Sequence, residues 1–123
     1  MNSVDIRALI KIAFFMIAID AVWISLVAGK SFSKMTENIQ RSPMIVRPLG
    51  AIVAYVAMTL LFFTFRNDLT LVKAFLLGSL AYAIYDFTNY ALFSNWKLET
   101  AIIDVIWGGT LFALVKLFTD MIQ

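Results

Sequence analysis

Three aspartates lie inside long apolar stretches of the chain, where a charged side chain is costly. Two of them belong to the same five-residue pattern, Ile-Asp-x-x-Trp, at residues 19–23 and 103–107. The third belongs to the stretch Tyr-Ala-Ile-Tyr-Asp-Phe-Thr-Asn at residues 82–89. Side chains of these types bind cations, hold protons or bond to one another. The candidate site residues are Asp20, Trp23, Tyr82, Tyr85, Asp86, Asn89, Asp104 and Trp107.

The composition places these residues in a membrane protein. Hydrophobic residues make up 62% of the 123 residues and charged residues 15%, whereas a soluble domain has about 45–50% and about 25%. Four apolar runs, at 12–28, 49–65, 71–93 and 98–118, are each close to the ~20 residues that a helix needs to cross a bilayer. None alternates strictly, as β-barrel strands do. The sequence therefore predicts one domain, residues 1–123, with an all-α fold: an antiparallel bundle of four transmembrane helices.

The connection between the first two predicted spans, residues 31–48, is the only extended polar stretch. Phe32, Met35 and Ile39 recur in it at helical spacing, with polar residues between them. This pattern predicts a short amphipathic helix at the membrane interface, and a plain loop is the alternative.

Both remaining connections are short. The turn at residues 66–68 predicts that the second and third spans are antiparallel neighbours. The second span carries only Tyr55 and Thr59 as further polar features, so it is predicted to be a scaffold helix. Trp96, in the connection between the third and fourth spans, is of the type that anchors helix ends at the membrane interface.

The three aspartates are predicted to lie at one depth in the membrane. Asp20 is eight residues from the end of the first predicted span, Asp86 is seven from the end of the third, and Asp104 is about four to six residues into the fourth. At about 1.5 Å per residue, all three lie within roughly 6–12 Å of the same membrane face. The sequence therefore predicts a single pocket in one half of the membrane, formed by the aspartates and their aromatic neighbours.

The basic residues lie at or near the span ends, with Lys73 and Lys116 the only ones within the span bounds, so no cationic side chain lies at the depth of the three carboxylates. Either some of them carry a proton, or a cation lies among them. If a metal binds, Asp20, Asp86 and Asp104 are the predicted ligands, because carboxylate oxygens suit a hard divalent cation. Cysteine and histidine are absent, which excludes thiolate chemistry and histidine ligation, and no other cofactor is indicated.

The charged residues near the span ends favour membrane lipids as partners and do not favour nucleic acid. A net charge of +2 without a basic block argues against nucleic acid. Each predicted membrane face carries five basic residues, so the positive-inside rule assigns no orientation. Four spans with so little charge bias also describe small multidrug-resistance transporters, which act as dimers, so a homodimer is a candidate assembly by analogy.

The order of these residues resembles the domain-of-unknown-function family 2177, whose members are small, mostly bacterial membrane proteins with four helices. The resemblance rests on Asp-x-x-Trp at 20–23, Tyr-Asp-x-Thr-Asn at 85–89, a tryptophan at 96 and Asp-x-x-Trp-Gly at 104–108, and it covers nearly the whole chain. It implies a multi-pass protein of the bacterial inner membrane. It implies no established activity.

The sequence is compatible with three functions. The predicted pocket is best suited to binding or transporting a small polar or cationic solute, with protons exchanged at the aspartates. A membrane-lipid-modifying enzyme, or an accessory subunit of one, is an alternative, because basic residues near the same face suit lipid phosphate. No known catalytic motif supports it, and whether the protein is an enzyme is left open. The third alternative is a structural or assembly protein whose Asp–Trp pairs hold its helices together.

Overall fold

The structure, a computed structural model, describes residues 2–122, which are mostly helical and contain no strand. Its helices are α1 (Ser3–Trp23), α2 (Gly29–Gln40), α3 (Pro48–Phe65), α4 (Leu71–Leu92) and α5 (Leu98–Met121). A π-helical segment, Ile24–Ala28, joins α1 to α2, and a 3-10 turn, Arg66–Asp68, follows α3. With α1 and α2 counted as one, four helices are long and apolar enough to cross a membrane. The predicted all-α fold with four spans is confirmed, while the predicted domain of residues 1–123 includes two terminal residues outside the described range.

Three predicted spans agree with their helices to within three residues: 49–65 with α3, 71–93 with α4 and 98–118 with α5. Local chemistry explains two of the helix starts. Pro48 occupies the first turn of α3, where its missing N–H removes no helical hydrogen bond. The Thr70 side chain accepts a hydrogen bond from the backbone N–H of Lys73, at 3.1 Å, and so caps α4.

The first helix is longer than its predicted span, residues 12–28, at both ends. It begins at Ser3 because Asn2 and Asp5 form a reciprocal capping box, in which Asn2 Oδ1 accepts from Asp5 N at 2.9 Å. It continues past Gly29 because the Gly29 N–H donates to the carbonyl oxygen of Ile24 in the π-helical segment. A Cβ at residue 29 would lie 2.7 Å from that oxygen, so this turn requires glycine.

The amphipathic helix predicted between the first two spans is present as α2, which follows α1 without a break. The 38 residues from Ser3 to Gln40 rise about 57 Å, against a hydrocarbon thickness of about 30 Å, so this helix extends well beyond the bilayer core. The apolar side of α2 does not face outward. Met35 is buried against Trp96 and Ala101, so α2 covers the end of the bundle where α4 connects to α5.

The order of the helices along the chain does not predict which of them pack against each other. α1 lies against both α3 and α5, and α4 packs most extensively on α5. The prediction that the second and third spans are neighbours is wrong, since α3 and α4 are not among the closely packed helices. The reason is the fit of α4 to α5, where Gly78 and Gly108 let the two backbones approach closely.

The interior divides into an apolar half and a polar half. The apolar core lies toward the Arg66–Asp68 turn and comprises Ile12, Met16, Phe62, Leu69, Ala74, Leu111, Phe112 and Val115. The three buried aspartates lie toward the opposite end, beneath α2. Many large apolar side chains on the outer surface are exposed, as expected where helices meet lipid. The polar residues are therefore enclosed between an apolar core and the α2 cover.

Candidate functional site

Asp20 connects two other helices to its own. Its carboxylate accepts a hydrogen bond from the indole N–H of Trp107 on α5, with Nε1 and Oδ1 2.8 Å apart, and another from the hydroxyl of Tyr55 on α3. Asp20 is only 6% exposed, so both bonds form in the interior of the bundle. Hydrogen bonds to an ionised carboxylate are stronger than those between neutral groups. One side chain of α1 therefore holds α3 and α5 in place.

Trp23, one turn after Asp20, stacks on the ring of Trp107. The ring centroids are 4.6 Å apart and the planes differ by 6°. Trp107 therefore bonds to one residue of the first Ile-Asp-x-x-Trp pattern and stacks on another, so the two patterns contact each other directly. The indole N–H of Trp23 is buried and has no hydrogen-bond partner among residues 2–122.

Asp86 is the most deeply buried of the three aspartates, with no exposed surface. Neither of its carboxyl oxygens accepts a hydrogen bond from an N–H or O–H group of the described residues. Its polar neighbours are the Asp104 carboxyl group on α5 and the indole of Trp96. Trp96 Nε1 is also buried and unpaired within the described part of the chain. Asp86 and Asp104 thus form a carboxyl pair between α4 and α5.

A cleft of about 320 Å³ opens beside this carboxyl pair. Its polar and aromatic lining consists of Asp20, Trp23, Phe32, Tyr82, Tyr85 and Asp104. The rest of its wall comes from Ile24 and Ala28, the start of α2, and Met44 and Val46 in the connection before α3. Small-molecule sites typically have volumes of about 300–1,000 Å³. The cleft is therefore large enough for a small molecule, and its two carboxylates favour a positively charged one.

The eight predicted site residues fall into three places. Five of them line the cleft: Asp20, Trp23, Tyr82, Tyr85 and Asp104. Trp107 and Asp86 do not line it but contact residues that do, since Trp107 donates to Asp20 and Asp86 lies against Asp104. Asn89 is half-buried one turn beyond Tyr85 and is not part of the cleft lining. The predicted single pocket is thus a cleft that shares Asp104 with a carboxyl pair beside it.

Two residues of the site are not among those predicted. Tyr55, assigned with α3 to a scaffold, donates its hydroxyl hydrogen to Asp20. Trp96, assigned to the membrane interface, is only 8% exposed and packs edge-on against Tyr85, with ring centroids 5.9 Å apart. A signal for Tyr55 exists in the sequence, because it lies seven residues after Pro48 and so at about the depth of Asp20. For Trp96 the signal is the family resemblance, which includes a tryptophan at this position.

The predicted metal ligands Asp20, Asp86 and Asp104 are not grouped as a metal site. Among residues 2–122, no three or more His, Cys, Asp or Glu side chains are arranged to hold a metal ion. Asp20 is instead engaged by the donors on α3 and α5, and Asp86 faces Asp104. Carboxyl groups, indoles and phenols are the chemistry that the described site presents.

Replacing Tyr55 with phenylalanine is expected to lower the free energy of unfolding by about 0.6–2 kcal/mol, the range for one hydrogen bond between transmembrane helices. The ring remains in place, while Asp20 keeps only the Trp107 N–H. SDS-induced unfolding in mixed micelles measures the difference. Tyr90→Phe is the matched control, because Tyr90 is 43% exposed and its hydroxyl bonds to none of the described residues. Equal stability of the two variants would show that the Tyr55 bond contributes nothing.

The family resemblance is confirmed over nearly the whole chain. The model of a family described as "Predicted membrane protein (DUF2177)" matches residues 6–121. This range includes every residue of the cleft and of the carboxyl pair. No curated protein and no solved structure matches the chain. The chain therefore belongs to the DUF2177 family of predicted membrane proteins.

Proposed function

We propose that this multi-pass membrane protein binds a small organic cation in the cleft and carries it across the membrane. One observation carries the proposal: two buried carboxylates, Asp20 and Asp104, line a cleft of about 320 Å³ whose described lining contains no Lys, Arg or His. A carboxylate without a cationic partner is costly in a medium of low dielectric constant. A ligand that supplies the missing positive charge is therefore favoured over a neutral or anionic one.

Lys116 and Lys11, at the end of the bundle away from the cleft, do not neutralise the charge of these carboxylates. Lys116 pairs with Asp120 at 2.8 Å, and Lys11 donates to the carbonyl oxygen of Ile122 at 2.7 Å. The aromatic rings around the cleft support the same class of ligand, since an ammonium group is attracted to the face of an indole or phenol ring. An alkylammonium ion combines the positive charge with the apolar surface that such a lining accepts.

Transport is supported by the position of the cleft. Residues of three of the four membrane-spanning helices line it, so a bound cation would lie between these helices. The apolar core fills the other half of the bundle, and passage through the membrane requires that half to open or a second copy to complete the path. We therefore propose a homodimer, surrounded by lipid at its exposed apolar side chains and placed in the bacterial inner membrane.

Choline and 3,3-dimethylbutan-1-ol test the charge preference, because they share a shape and differ in charge. The protein in detergent is expected to bind choline at least about tenfold more tightly than the neutral alcohol, measured by isothermal titration calorimetry. Asp104→Asn should weaken choline binding by at least about tenfold. Asp68→Asn, an exposed carboxylate in the Arg66–Asp68 turn, is the control and should leave it unchanged. Equal binding of the two ligands would contradict the proposal.

Proteoliposomes separate transport from static binding. Uptake of radiolabelled choline is expected with the parent protein and with Asp68→Asn, and is expected to fall to the level of empty liposomes with Asp104→Asn. Binding without uptake would leave a binding protein and exclude the transport step.

The hydrogen bonds of Asp20 favour a second candidate, a structural or assembly protein. Asp20 joins three helices through Tyr55 and Trp107, which is the role of an internal connection. Under this alternative, no ligand binds in the cleft, so neither the parent protein nor Asp104→Asn binds choline or takes it up. The calorimetric comparison of choline with its neutral isostere therefore decides between the two candidates.

A further inference from the structure

The proposed solute site leaves the Asp86 carboxyl group without a role. Asp86 has no exposed surface and does not line the cleft. Neither of its oxygens accepts an N–H or O–H hydrogen bond from the described residues, although such a bond is the usual condition for burying a polar group. One of its polar neighbours is another carboxyl group, that of Asp104 on α5.

Two carboxyl groups in contact can form a hydrogen bond only when one of them carries a proton. Two negative charges on neighbouring side chains, away from water, repel each other strongly. The other polar and titratable groups that face the pair are Asp20 from α1, Tyr82 and Tyr85 from α4, and Trp96 from the connection before α5. None of them is a cation, so none neutralises the charge of a doubly ionised pair.

Asp104 belongs to both the pair and the cleft. Its carboxyl group lies against Asp86 on one side and forms part of the cleft wall beside Tyr82 and Tyr85 on the other. A cation bound in the cleft would therefore contact a carboxyl group that is paired with a buried neighbour. We propose that the Asp86–Asp104 pair holds one proton, and that a cation bound at Asp104 displaces it, so that the protein exchanges protons for cations.

The exchange balances in charge. Before binding, the pair carries one proton and a net charge of −1. After binding, both carboxylates are ionised and the cation contributes +1, so the net charge is again −1. The proton leaves through the cleft, which the Tyr82 and Tyr85 side chains line. The proton-holding pair stands on the structure alone, whereas its displacement by a cation rests on the proposed function.

Infrared spectroscopy tests the proton-holding pair without any ligand. At neutral pH the protein is expected to show the C=O stretching band of a protonated carboxylic acid, shifted by deuterium exchange. Asp86→Asn is isosteric and should remove this band, because the asparagine amide can donate to an ionised Asp104. Asp68→Asn should retain it. Absence of the band from the parent protein, or its persistence in Asp86→Asn, would overturn the proposal, and titration of the parent band needs no variant to fold.

Calorimetry tests the displacement. Choline binding measured in two buffers of different ionisation enthalpy is expected to release close to one proton per choline, and choline affinity should rise with pH by up to about tenfold per pH unit. Asp86→Asn should bind choline without releasing a proton and with little dependence on pH. Choline binding without proton release by the parent would overturn the exchange and leave the solute site intact. If choline does not bind, the proposed function fails, while the infrared band still decides whether the pair holds a proton.

Discussion

A leucine in place of Gly78 is expected to lower the free energy of unfolding by at least about 3 kcal/mol. A Cβ at residue 78 would overlap the carbonyl oxygen of Gly108 and lie 2.7 Å from the ring of Phe112. A backbone oxygen cannot rotate away as the end of a flexible side chain can, so α4 and α5 would have to separate. This contact is the most extensive between helices in the bundle. Its separation would also part Asp86 from Asp104.

Gly50 provides the matched control for that substitution. A Cβ at residue 50 meets no atom within 4 Å, so Gly50→Leu is expected to stay within about 0.5 kcal/mol of the parent. Gly78→Ala should fall between the two leucine variants, because its single methyl group already overlaps Gly108. SDS-induced unfolding in mixed micelles compares all three. If Gly78→Leu were as stable as Gly50→Leu, α4 and α5 could not approach as closely as they do here.

The number of spans could be predicted from the sequence because the bilayer dictates how many apolar residues a crossing helix needs. For α3 to α5, the ends of the apolar runs nearly coincide with the helix ends, since a proline, a capping threonine and short connections stand there. For the first helix, the ends of the apolar run do not coincide with the ends of the helix. Residues 3–11 and 29–40 are too polar to extend an apolar run, yet they are helical because of the Asn2 capping box and the Gly29 π turn.

The grouping of the aspartates toward one end of the bundle could also be predicted, because each helical residue adds a known rise of about 1.5 Å. Their partners could not, because these depend on which helices are adjacent and on how each is rotated. The packing of α3 on α1 brings Tyr55 to Asp20, and the packing of α4 on α5 brings Asp86 to Asp104. Trp96 is drawn inward by Met35 of α2, a helix whose continuity with α1 has no clear signal in the sequence.

Asparagine substitutions at Asp20 and Asp86 are expected to change stability in opposite directions. The amide introduced by Asp20→Asn has one accepting oxygen and directs its N–H₂ group at a second donor, so the free energy of unfolding should fall by about 1.5–3 kcal/mol. Asp86→Asn replaces a buried carboxyl group, which takes up a proton to bond to Asp104, with an amide that donates to Asp104 without one, so the free energy of unfolding should rise by about 1 kcal/mol. The two substitutions are chemically identical, and both sites are buried.

SDS-induced unfolding at neutral pH in mixed micelles measures the change in the free energy of unfolding of each variant. A double-mutant cycle then identifies which contacts cause each change. If Asp20 acts through its hydrogen bonds, the effect of Asp20→Asn should shrink when Tyr55→Phe is already present, because one of the two donors is then gone. The effect of Asp86→Asn should be independent of Tyr55→Phe, since Asp86 has no contact with that bond. Equal and negative effects at both aspartates would mean that Asp86 also connects helices. Opposite changes in the free energy of unfolding would show that Asp20 stabilises the bundle and that Asp86 destabilises it. A residue that is retained although it destabilises the protein is expected to serve its function.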